Sequence, residues 1–464
     1  MQAQRIRLGS WQSFLSYENC VAVTRSDKTI FAANDLGLME VNGYEIYYHN
    51  KTTGLSDMGI QTIGFNHAYK ALIVAYTNGN IDIRYQNTAK VVNLPAIKQN
   101  LAIVGSKRVN EIYSTGKKTY FACAFGLVEL DMELMEFTQT TFTPNNEVFG
   151  CARWGNALFM STKKGIFRGE LDGRNLQDFN VWQRHAQSQN LPSTDYTSNA
   201  ILNLKGILYA DVNDTLFTYS PITNSWQHIP NTDLDNAANT SAYFYQNVPI
   251  LRLEPSYDST QILVVTSLNY FFQVLVNTAQ YRKNYMGDNF PNVYDMVADE
   301  RGGYWYTTVI GLAHSDYNGL EFVVPNSPKS NRTTQMATDP SGRLWVAGSM
   351  LAANQSSYAY DAVGFYRWNG SDWKNFNNKT FPRLDTFFDA VSVATNPKKQ
   401  EIFIGSFTDG IIRILNDEIV EQFNQRNTQN GLQGVVGDEV RTRVNALVCD
   451  ESGNLWISNP LAPI

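Results

Sequence analysis

The sequence predicts an all-β protein: a seven-bladed β-propeller of four-stranded antiparallel blades, followed by part of a second propeller. Three observations predict this fold. They are a strand–turn pattern in residues 54–83, the recurrence of that pattern along the chain, and a composition rich in aromatic residues and poor in charged ones. Evenly spaced short strands separated by turns are typical of propellers, which use about 40–45 residues for each blade.

The stretch 54–83 defines the pattern. Ile60–Phe65 alternates apolar and polar residues, Ala71–Tyr76 is almost wholly apolar, and Ile81–Ile83 begins a second alternating run. Alternation indicates a half-buried strand, and a short apolar run between turns indicates a fully buried one. Asn78-Gly79 between the second and third runs is a strong hairpin signal. The stretch therefore predicts three antiparallel strands joined by tight turns.

The buried central strand recurs ten times, at steps of 38 to 58 residues. Its copies span residues 29–33, 71–75, 119–123, 157–161, 206–210, 261–265, 303–307, 343–347, 401–405 and 454–458. A sheet that is apolar on both faces cannot bury them alone, so we expect the blades to stack around an axis until a ring closes. A β-sandwich would not repeat so evenly, and a parallel β-helix needs much shorter repeats.

Local landmarks flank the central strand. Acidic turns ending in glycine precede three of the later copies, at 299–302, 339–342 and 450–453. Such residues favour turns through their own backbone chemistry. A glycine followed by an apolar residue comes after the strand at 37, 126, 165, 311, 364 and 410, where we expect a tight turn or a close backbone approach. A fourth strand begins with tryptophan at 182, 226 and 373.

Ten central strands exceed one ring of four to eight blades. The simplest division is a first propeller of about seven blades in residues 1–325 and a truncated second propeller of about three blades in 326–464. The sixth repeat lacks its glycine landmark, so the boundary could shift by a blade. Trp11–Phe14 resembles a fourth strand without the first three, and we expect it to complete a blade and close a ring. Both ends of the chain are expected to be incomplete.

The composition and motifs of the chain argue against several classes of protein. A net charge of −6 and dispersed basic doublets argue against a nucleic-acid binder. No apolar run is long enough for a membrane-spanning helix, and the N-terminus lacks the apolar region of a signal peptide, although Gln2-Ala3-Gln4 would suit the chain just after a cleavage site. No nucleotide-binding or hydrolase motif occurs, so we expect no catalytic residues and no cofactor.

Metal sites are not expected either. The four cysteines and five histidines show no ligand spacing. Cys123 and Cys151 lie in neighbouring repeats, and either form a disulfide or remain two buried thiols, the interpretation we favour. His67 and His228 are expected to be solvated. Residues 233–236 offer several oxygens for calcium but lack the glycine and distal glutamate of an EF-hand loop.

Aromatic side chains near strand ends or on outer strands are the candidate binding residues, because flat rings stack on sugars and anchor protein partners. They are Trp11, Tyr47, Tyr48, Trp182, Trp226, Trp368 and Trp373. For each of them, packing between blades is the alternative. Trp305, Trp345 and Trp456 are expected in the core.

Several segments resemble known sequences. Gly54-Leu55-Ser56-Asp57, the Ile60/Ile63 pair and the Asp-x-x-Gly-x-x-Trp turns resemble the two-component-regulator propeller repeat. Residues 8–130 are similar to the PorZ family of the type IX secretion system of Bacteroidetes. The matching segments are 11–17, 47–48, 54–57, 75–82, 109–112 and 124–128.

The resemblance implies two seven-bladed propellers and a C-terminal sorting domain, of which this chain would hold the first propeller and part of the second. It also implies a non-catalytic, exported protein on the outer-membrane surface. Its partners would be a sortase, an outer-membrane shuttle protein and anionic lipopolysaccharide. Two alternatives stay open: the periplasmic carbohydrate-sensing region of a hybrid two-component regulator, and a polysaccharide lyase or glycosidase propeller.

Overall fold

The computed structural model describes residues 11–460 except 87, 89, 230–231, 234–247, 269, 277–279, 287–289, 317–318, 324, 350–359, 430 and 439. The chain divides into two compact units. The first unit runs from Tyr17 to residue 324, and the second combines residues up to Ser16 with those from Pro325 onward. The fold is all-β, as predicted, and α1 (Ala96–Gln99) is the one α-helix among the described residues.

The first unit contains seven antiparallel sheets. Blade 1 is β1 (Ala22–Arg25), β2 (Ile30–Ala33), β3 (Gly37–Asn42) and β4 (Glu45–Asn50). Blade 2 is β5 (Ile60–Asn66), β6 (Ala71–Tyr76), β7 (Ile81–Tyr85) and β8 (Val91–Leu94). Blade 3 is β9 (Val109–Thr115), β10 (Lys118–Cys123), β11 (Gly126–Asp131) and β12 (Glu136–Phe142). Blade 4 is β13 (Val148–Trp154), β14 (Ala157–Thr162), β15 (Gly165–Glu170) and β16 (Gln183–Arg184).

Blade 5 is β17 (Ile201–Leu204), β18 (Ile207–Asp211), β19 (Leu216–Ser220) and β20 (Ser225–His228). Blade 6 is β22 (Ile250–Pro255), β23 (Gln261–Thr266), β24 (Tyr270–Leu275) and β25 (Gln280–Tyr285), and the short β21 (Thr232–Asp233) adds to it in parallel beside β25. Blade 7 is β26 (Val293–Ala298), β27 (Tyr304–Thr308), β28 (Gly311–Asp316) and β29 (Gly319–Val323).

The second unit holds two four-stranded sheets and a two-stranded one. Their strands are β30 (Gln335–Thr338), β31 (Leu344–Ala347), β32 (Phe365–Trp368) and β33 (Trp373–Phe376), then β34 (Ala390–Thr395), β35 (Glu401–Ser406), β36 (Ile411–Leu415) and β37 (Glu418–Phe423), then β38 (Ala446–Cys449) and β39 (Leu455–Ser458). Short 3-10 helices span Lys51–Thr53, Phe179–Val181, Gln187–Gln189 and Pro382–Leu384. All ten predicted central strands are confirmed, each as the second strand of its sheet.

Both faces of a blade are buried, as the repeat predicts. In β6, Ile73 and Ala75 pack towards blade 3, whereas Leu72, Val74 and Tyr76 pack towards blade 1. Similar apolar clusters join blades 3 and 4, 4 and 5, 5 and 6, and 6 and 7. The first strand of each blade contacts the first strand of the next, and β26 of blade 7 contacts β1 of blade 1. The first unit is therefore a closed ring.

The ring does not close by sharing a strand. Blades 1 and 7 are each built from continuous chain, and Asn19 N donates to Val309 O at 3.0 Å between them. The predicted role of Trp11–Phe14 is wrong, because residues 11–14 form no strand and belong to the second unit. There the Phe14 ring packs on Trp368 and Trp373, with centroids 4.7 and 5.4 Å away.

The glycine landmarks stand where the chain enters the third strand. At Gly126 the backbone has φ +149°, and an added Cβ would lie 2.0 Å from the carbonyl oxygen of Thr141 on the paired strand. Gly364 and Gly410 show the same close approach. Only a residue without a side chain fits such a position.

Gly126→Ala should therefore lower the free energy of unfolding by about 3 kcal/mol or more, because backbone atoms must move to admit the methyl group. The control is Gly116→Ala in the same blade, at φ +57° with open space around the added Cβ, which should cost about 1 kcal/mol. Urea denaturation of both variants measures the difference. Equal costs would show that φ alone, and not the close approach to Thr141, requires glycine at 126.

Candidate functional site

A cleft of about 640 Å³ opens where blade 7 meets blade 1. One wall is formed by two turns of blade 1, Arg25–Lys28 and Gly43–Tyr44. The other wall is formed by the turn Asp299–Arg301 and by side chains of β28 and β29, and Tyr257 of blade 6 adds to the rim. This volume lies within the range of small-molecule sites in proteins.

The floor of the cleft departs from the repeat. In the second unit, the Asp339 and Asp450 carboxylates each accept from backbone N–H groups of their turn and from the indole N–H of Trp345 and Trp456. In blade 7, Asp299 accepts from the N–H groups of Arg301 and Gly303 in the same way. Its second oxygen, however, contacts His314 Nε2 at 2.6 Å.

Because Asp299 contacts His314 and not an indole N–H, Trp305 takes a different position from the tryptophans of the other two turns. Its ring stacks on the imidazole of His314, with centroids 4.4 Å apart, and it is half-buried instead of lying in the core as we expected. The His314 Nδ1 atom lies 3.8 Å from Glu321 of the neighbouring strand. The floor of the cleft thus consists of two rings in contact at an interplanar angle of 34°, with Asp299 bonded to one imidazole nitrogen and Glu321 near the other.

The rim carries two tyrosines. Tyr44 is fully exposed, and Tyr257 is 43% exposed with the Arg25 guanidinium 4.7 Å from its ring centroid. Around them the lining residues include five carboxylates and three permanent cations. The carboxylates are Asp27, Asp299, Glu300, Asp316 and Glu321, and the cations are Arg25, Lys28 and Arg301. Both signs are present in the lining, with the acidic residues in excess.

A second group of polar residues lies on the axis of the ring. Arg252 of β22 reaches across it, and its Nη2 donates to Thr62 Oγ1 at 3.2 Å and to Asn110 O at 3.3 Å. Its Nε lies 3.2 Å from Asp295 Oδ1. Asp295 also accepts from Val23 N at 3.0 Å, and Glu111 accepts from Cys151 N at 3.0 Å. These contacts join six blades through one set of side chains.

Burial perturbs the acids of this axial cluster. Burial raises the pKa of Glu111 to about 7, although the Arg252 charge opposes the shift. Burial and the nearby Asp295 carboxylate raise the pKa of Glu254 to about 8. The pKa of Asp295 is also raised by burial, against the attraction of Arg252. The raised pKa values favour the uncharged forms of these acids, as expected where three carboxyl groups lie close together inside the ring.

The candidate aromatic residues do not form one site. Trp182 and Trp226 are buried: the Trp182 indole donates to Leu176 O at 3.0 Å, and the Trp226 indole donates to Nδ1 of the buried His185 at 2.9 Å. Trp373 is also buried, and its ring lies 5.4 Å from the half-buried Trp368. These four rings pack within and between blades.

Three candidates lie nearer the surface. Trp11 is 88% exposed. Tyr47 is half exposed on β4, and its hydroxyl donates to Glu45 at 2.5 Å. Tyr48 is half-buried against Tyr17, with ring centroids 4.5 Å apart. None of the seven lines the cleft, so their role in binding stays a prediction.

Sequence reasoning missed the cleft residues because they come from turns far apart in the chain. One signal was available: of the three Asp-x-x-Gly-x-x-Trp turns, only the one at Asp299 is followed on the next strand by a histidine. The expectation for Trp456 is wrong, since it is 63% exposed on β39 of a sheet with no third strand among the described residues. Trp345 is fully buried as expected.

The remaining predictions concern ligands and thiols. All four cysteines are free, and Cys123 and Cys151 are buried thiols, which confirms the favoured interpretation. His67 and His228 are exposed, as expected. Most of the calcium candidate 233–236 lies outside the described residues. In the described part of the chain, no group of three potential ligands is arranged for a metal ion, and no helix is long and apolar enough to cross a membrane.

Comparison with known families identifies the N-terminal part of the chain. Residues 30–183 match the family described as the N-terminal β-propeller domain of PorZ of the type IX secretion system. The resemblance seen in the sequence is thereby confirmed for this segment. None of the curated proteins matches the chain.

One solved structure shares the fold. PorZ of Porphyromonas gingivalis, described as an essential bacterial surface component of the type IX secretion system, aligns with a TM-score of 0.77 at 21% identity. The alignment covers 97% of this chain and 57% of that one, so this chain spans less than two thirds of the PorZ structure. The extracellular domain of a hybrid two-component system, BT3049 of B. thetaiotaomicron, aligns with a TM-score of 0.48 at 13% identity, over 98% of this chain and 57% of that one.

Arg252→Met should lower the free energy of unfolding by about 3 kcal/mol, because it leaves the buried Asp295 carboxylate without its cation. The control is Arg174→Met, which removes an exposed pair with Asp172 and should leave the free energy of unfolding nearly unchanged. Chemical denaturation measures both. Adding Asp295→Asn to Arg252→Met should restore part of the loss, and strict additivity of the two costs would contradict the pairing.

Glu254→Gln should flatten the dependence of stability on pH. Because the folded-state pKa of Glu254 lies above its unfolded value, the folded protein holds this proton more tightly, and wild-type stability falls as pH rises from about 4.5 to about 8. Glutamine removes that loss, so the variant should gain stability relative to wild type between pH 5 and pH 8.5.

Melting temperatures across this pH range measure the gain. The control is Glu133→Gln, since Glu133 is an exposed carboxylate with a side chain that is 65% accessible, and it should follow wild type at every pH. A constant difference between Glu254→Gln and wild type would show that Glu254 is already ionised in the folded state.

Proposed function

We propose that the chain is a non-catalytic, exported surface component of a type IX secretion system, because residues 30–183 match the family described as the N-terminal β-propeller domain of PorZ. In this role it binds protein partners at the outer-membrane surface, a sortase and an outer-membrane shuttle protein among them, and it binds anionic lipopolysaccharide. The family match is the observation that carries the proposal. The propeller fold shared with PorZ over 97% of the chain supports it.

The loop after α1 offers a surface for a protein partner. Leu101 and Val104 are 92% and 91% exposed, whereas Ile103 between them is buried in the apolar cluster of blades 2 and 3. Lys107 Nζ donates to the carbonyl oxygens of Lys98 and Asn100, at 2.6 and 2.8 Å, and so ties the loop to α1. Two apolar side chains held outward on an anchored loop lose little freedom on binding.

The proposal predicts that the purified chain binds the sortase of its own bacterium, measured by biolayer interferometry. Leu101→Asp combined with Val104→Asp should weaken that binding at least tenfold, because charges would enter a desolvated contact. The control is Ile222→Asp, which places a charge at an apolar residue that is 94% exposed on blade 5 and should leave affinity unchanged.

Two outcomes would reject the proposal. One is the absence of binding to the sortase and to vesicles that carry anionic lipopolysaccharide, when vesicles of neutral lipid serve as the reference. The other is depolymerisation of a polysaccharide by the purified chain, which would make it an enzyme.

A further inference from the structure

We propose that the cleft between blades 7 and 1 binds an uncharged oligosaccharide, and that the bound sugar joins the two ends of the ring. This inference rests on the cleft alone and does not depend on the proposed secretion role. It concerns residues that lie on a different part of the propeller from the α1 loop.

The position of the cleft is the first argument. Blades 1 and 7 are the first and last blades of the ring, and they do not share a strand. Across this seam, Asp295 accepts from Val23 N at 3.0 Å, and Asn19 N donates to Val309 O at 3.0 Å. The cleft opens between the same two blades, at the end of the strands that carries the turns Arg25–Lys28 and Asp299–Arg301, with one wall on each blade. A ligand in it contacts both ends of the ring at once.

The chemistry of the walls is the second argument. A sugar ring presents C–H groups on its faces and hydroxyl groups on its edge. Tyr44, Tyr257 and Trp305 supply flat apolar rings for the faces. Hydroxyl groups both donate and accept, so they need acceptors and donors close together. Asp27 and Glu300 supply acceptors, and Lys28 and Arg301 supply donors, all around one opening.

Charge selects among ligands. Five carboxylates face three permanent cations in the lining, so a polyanion meets more repulsion than attraction. An extended cationic peptide would be attracted by the acidic excess, but it would also place like charges against Arg25, Lys28 and Arg301 on the walls. A neutral oligosaccharide meets neither penalty and uses side chains of both signs as hydrogen-bonding groups. The anionic lipopolysaccharide of the proposed function is therefore assigned to a different surface.

The bound state should also be more stable. A ligand that binds only the folded protein raises its stability in proportion to the logarithm of its concentration relative to the dissociation constant. Because the oligosaccharide contacts the two blades that close the ring, unfolding that begins at this seam must first release it. Ligand binding should therefore raise the melting temperature of the chain.

The test uses the full chain with maltoheptaose, laminarihexaose and N-acetylchitohexaose as neutral probes. Polygalacturonate serves as the anionic probe and octalysine as the cationic peptide. At least one neutral probe should bind in isothermal titration calorimetry, raise the melting temperature by about 2 °C at ten times its dissociation constant, and change the fluorescence of the half-buried Trp305. Polygalacturonate and octalysine should bind at least tenfold more weakly than that neutral probe.

Variants locate the binding. Tyr44→Ala and Glu300→Ala alter exposed residues of the two walls. Each should lower the affinity for the neutral probe at least tenfold and leave the melting temperature of the free protein unchanged. The control is Tyr294→Ala, an exposed tyrosine of β26 that does not line the cleft, and the affinity of this variant should match wild type.

Three results would overturn the inference. They are no binding of any neutral probe at 10 mM, binding that Tyr44→Ala and Glu300→Ala leave unchanged, and tighter binding of polygalacturonate or octalysine than of every neutral probe. Each result leaves the sortase measurement unaffected, because the residues tested there lie on the α1 loop.

Discussion

The Arg252 guanidinium on the axis of the first propeller is the contact on which the rest of that unit depends. Seven blades that each bury two apolar faces can pack at slightly different angles, because apolar contacts carry little directionality. Hydrogen bonds do carry direction. Arg252 bonds to Thr62, Asn110 and Asp295, and Asp295 extends the set to Val23 of blade 1. These bonds fix the rotation of blades 1, 2, 3, 6 and 7 about the axis.

This constraint explains why the cleft lies at one seam. Blade 7 is fixed to the axis through Asp295 of β26, its first strand, and blade 1 is fixed through Val23 of β1. Turns of the two blades, with Tyr44 on one and Arg301 on the other, enclose the cleft between them. Because both blades are fixed through the axial cluster, the two walls of the cleft are preorganised, which would lower the entropic cost of binding a ligand there.

Sequence alone predicted the parts of the fold that local chemistry decides. The central strand of blade 2 and the turn at Asp339 each depend on neighbours within a few residues, and both are confirmed. The glycine at 126 is predicted from the repeat, although the Thr141 oxygen that requires it belongs to the next strand. The role predicted for Trp11–Phe14 is wrong, because Phe14 packs on Trp368 and Trp373 and no local sequence pattern encodes that contact. The axial cluster could not be predicted for the same reason. In the sequence, Glu111 and Arg252 resemble ordinary charged residues of exposed strands, and only the closed ring brings them together.

The Asp299 turn shows how a repeat acquires a site without losing its structural role. In blade 7 the carboxylate keeps the backbone contacts that shape the turn, as Asp339 does in the second unit. The oxygen that bonds an indole in the other copies contacts His314 instead. Trp305 is thereby released from that bond and stacks on the imidazole under the cleft. The turn retains its stability, since its backbone contacts are unchanged, while one residue on the next strand converts a structural tryptophan into the floor of a pocket.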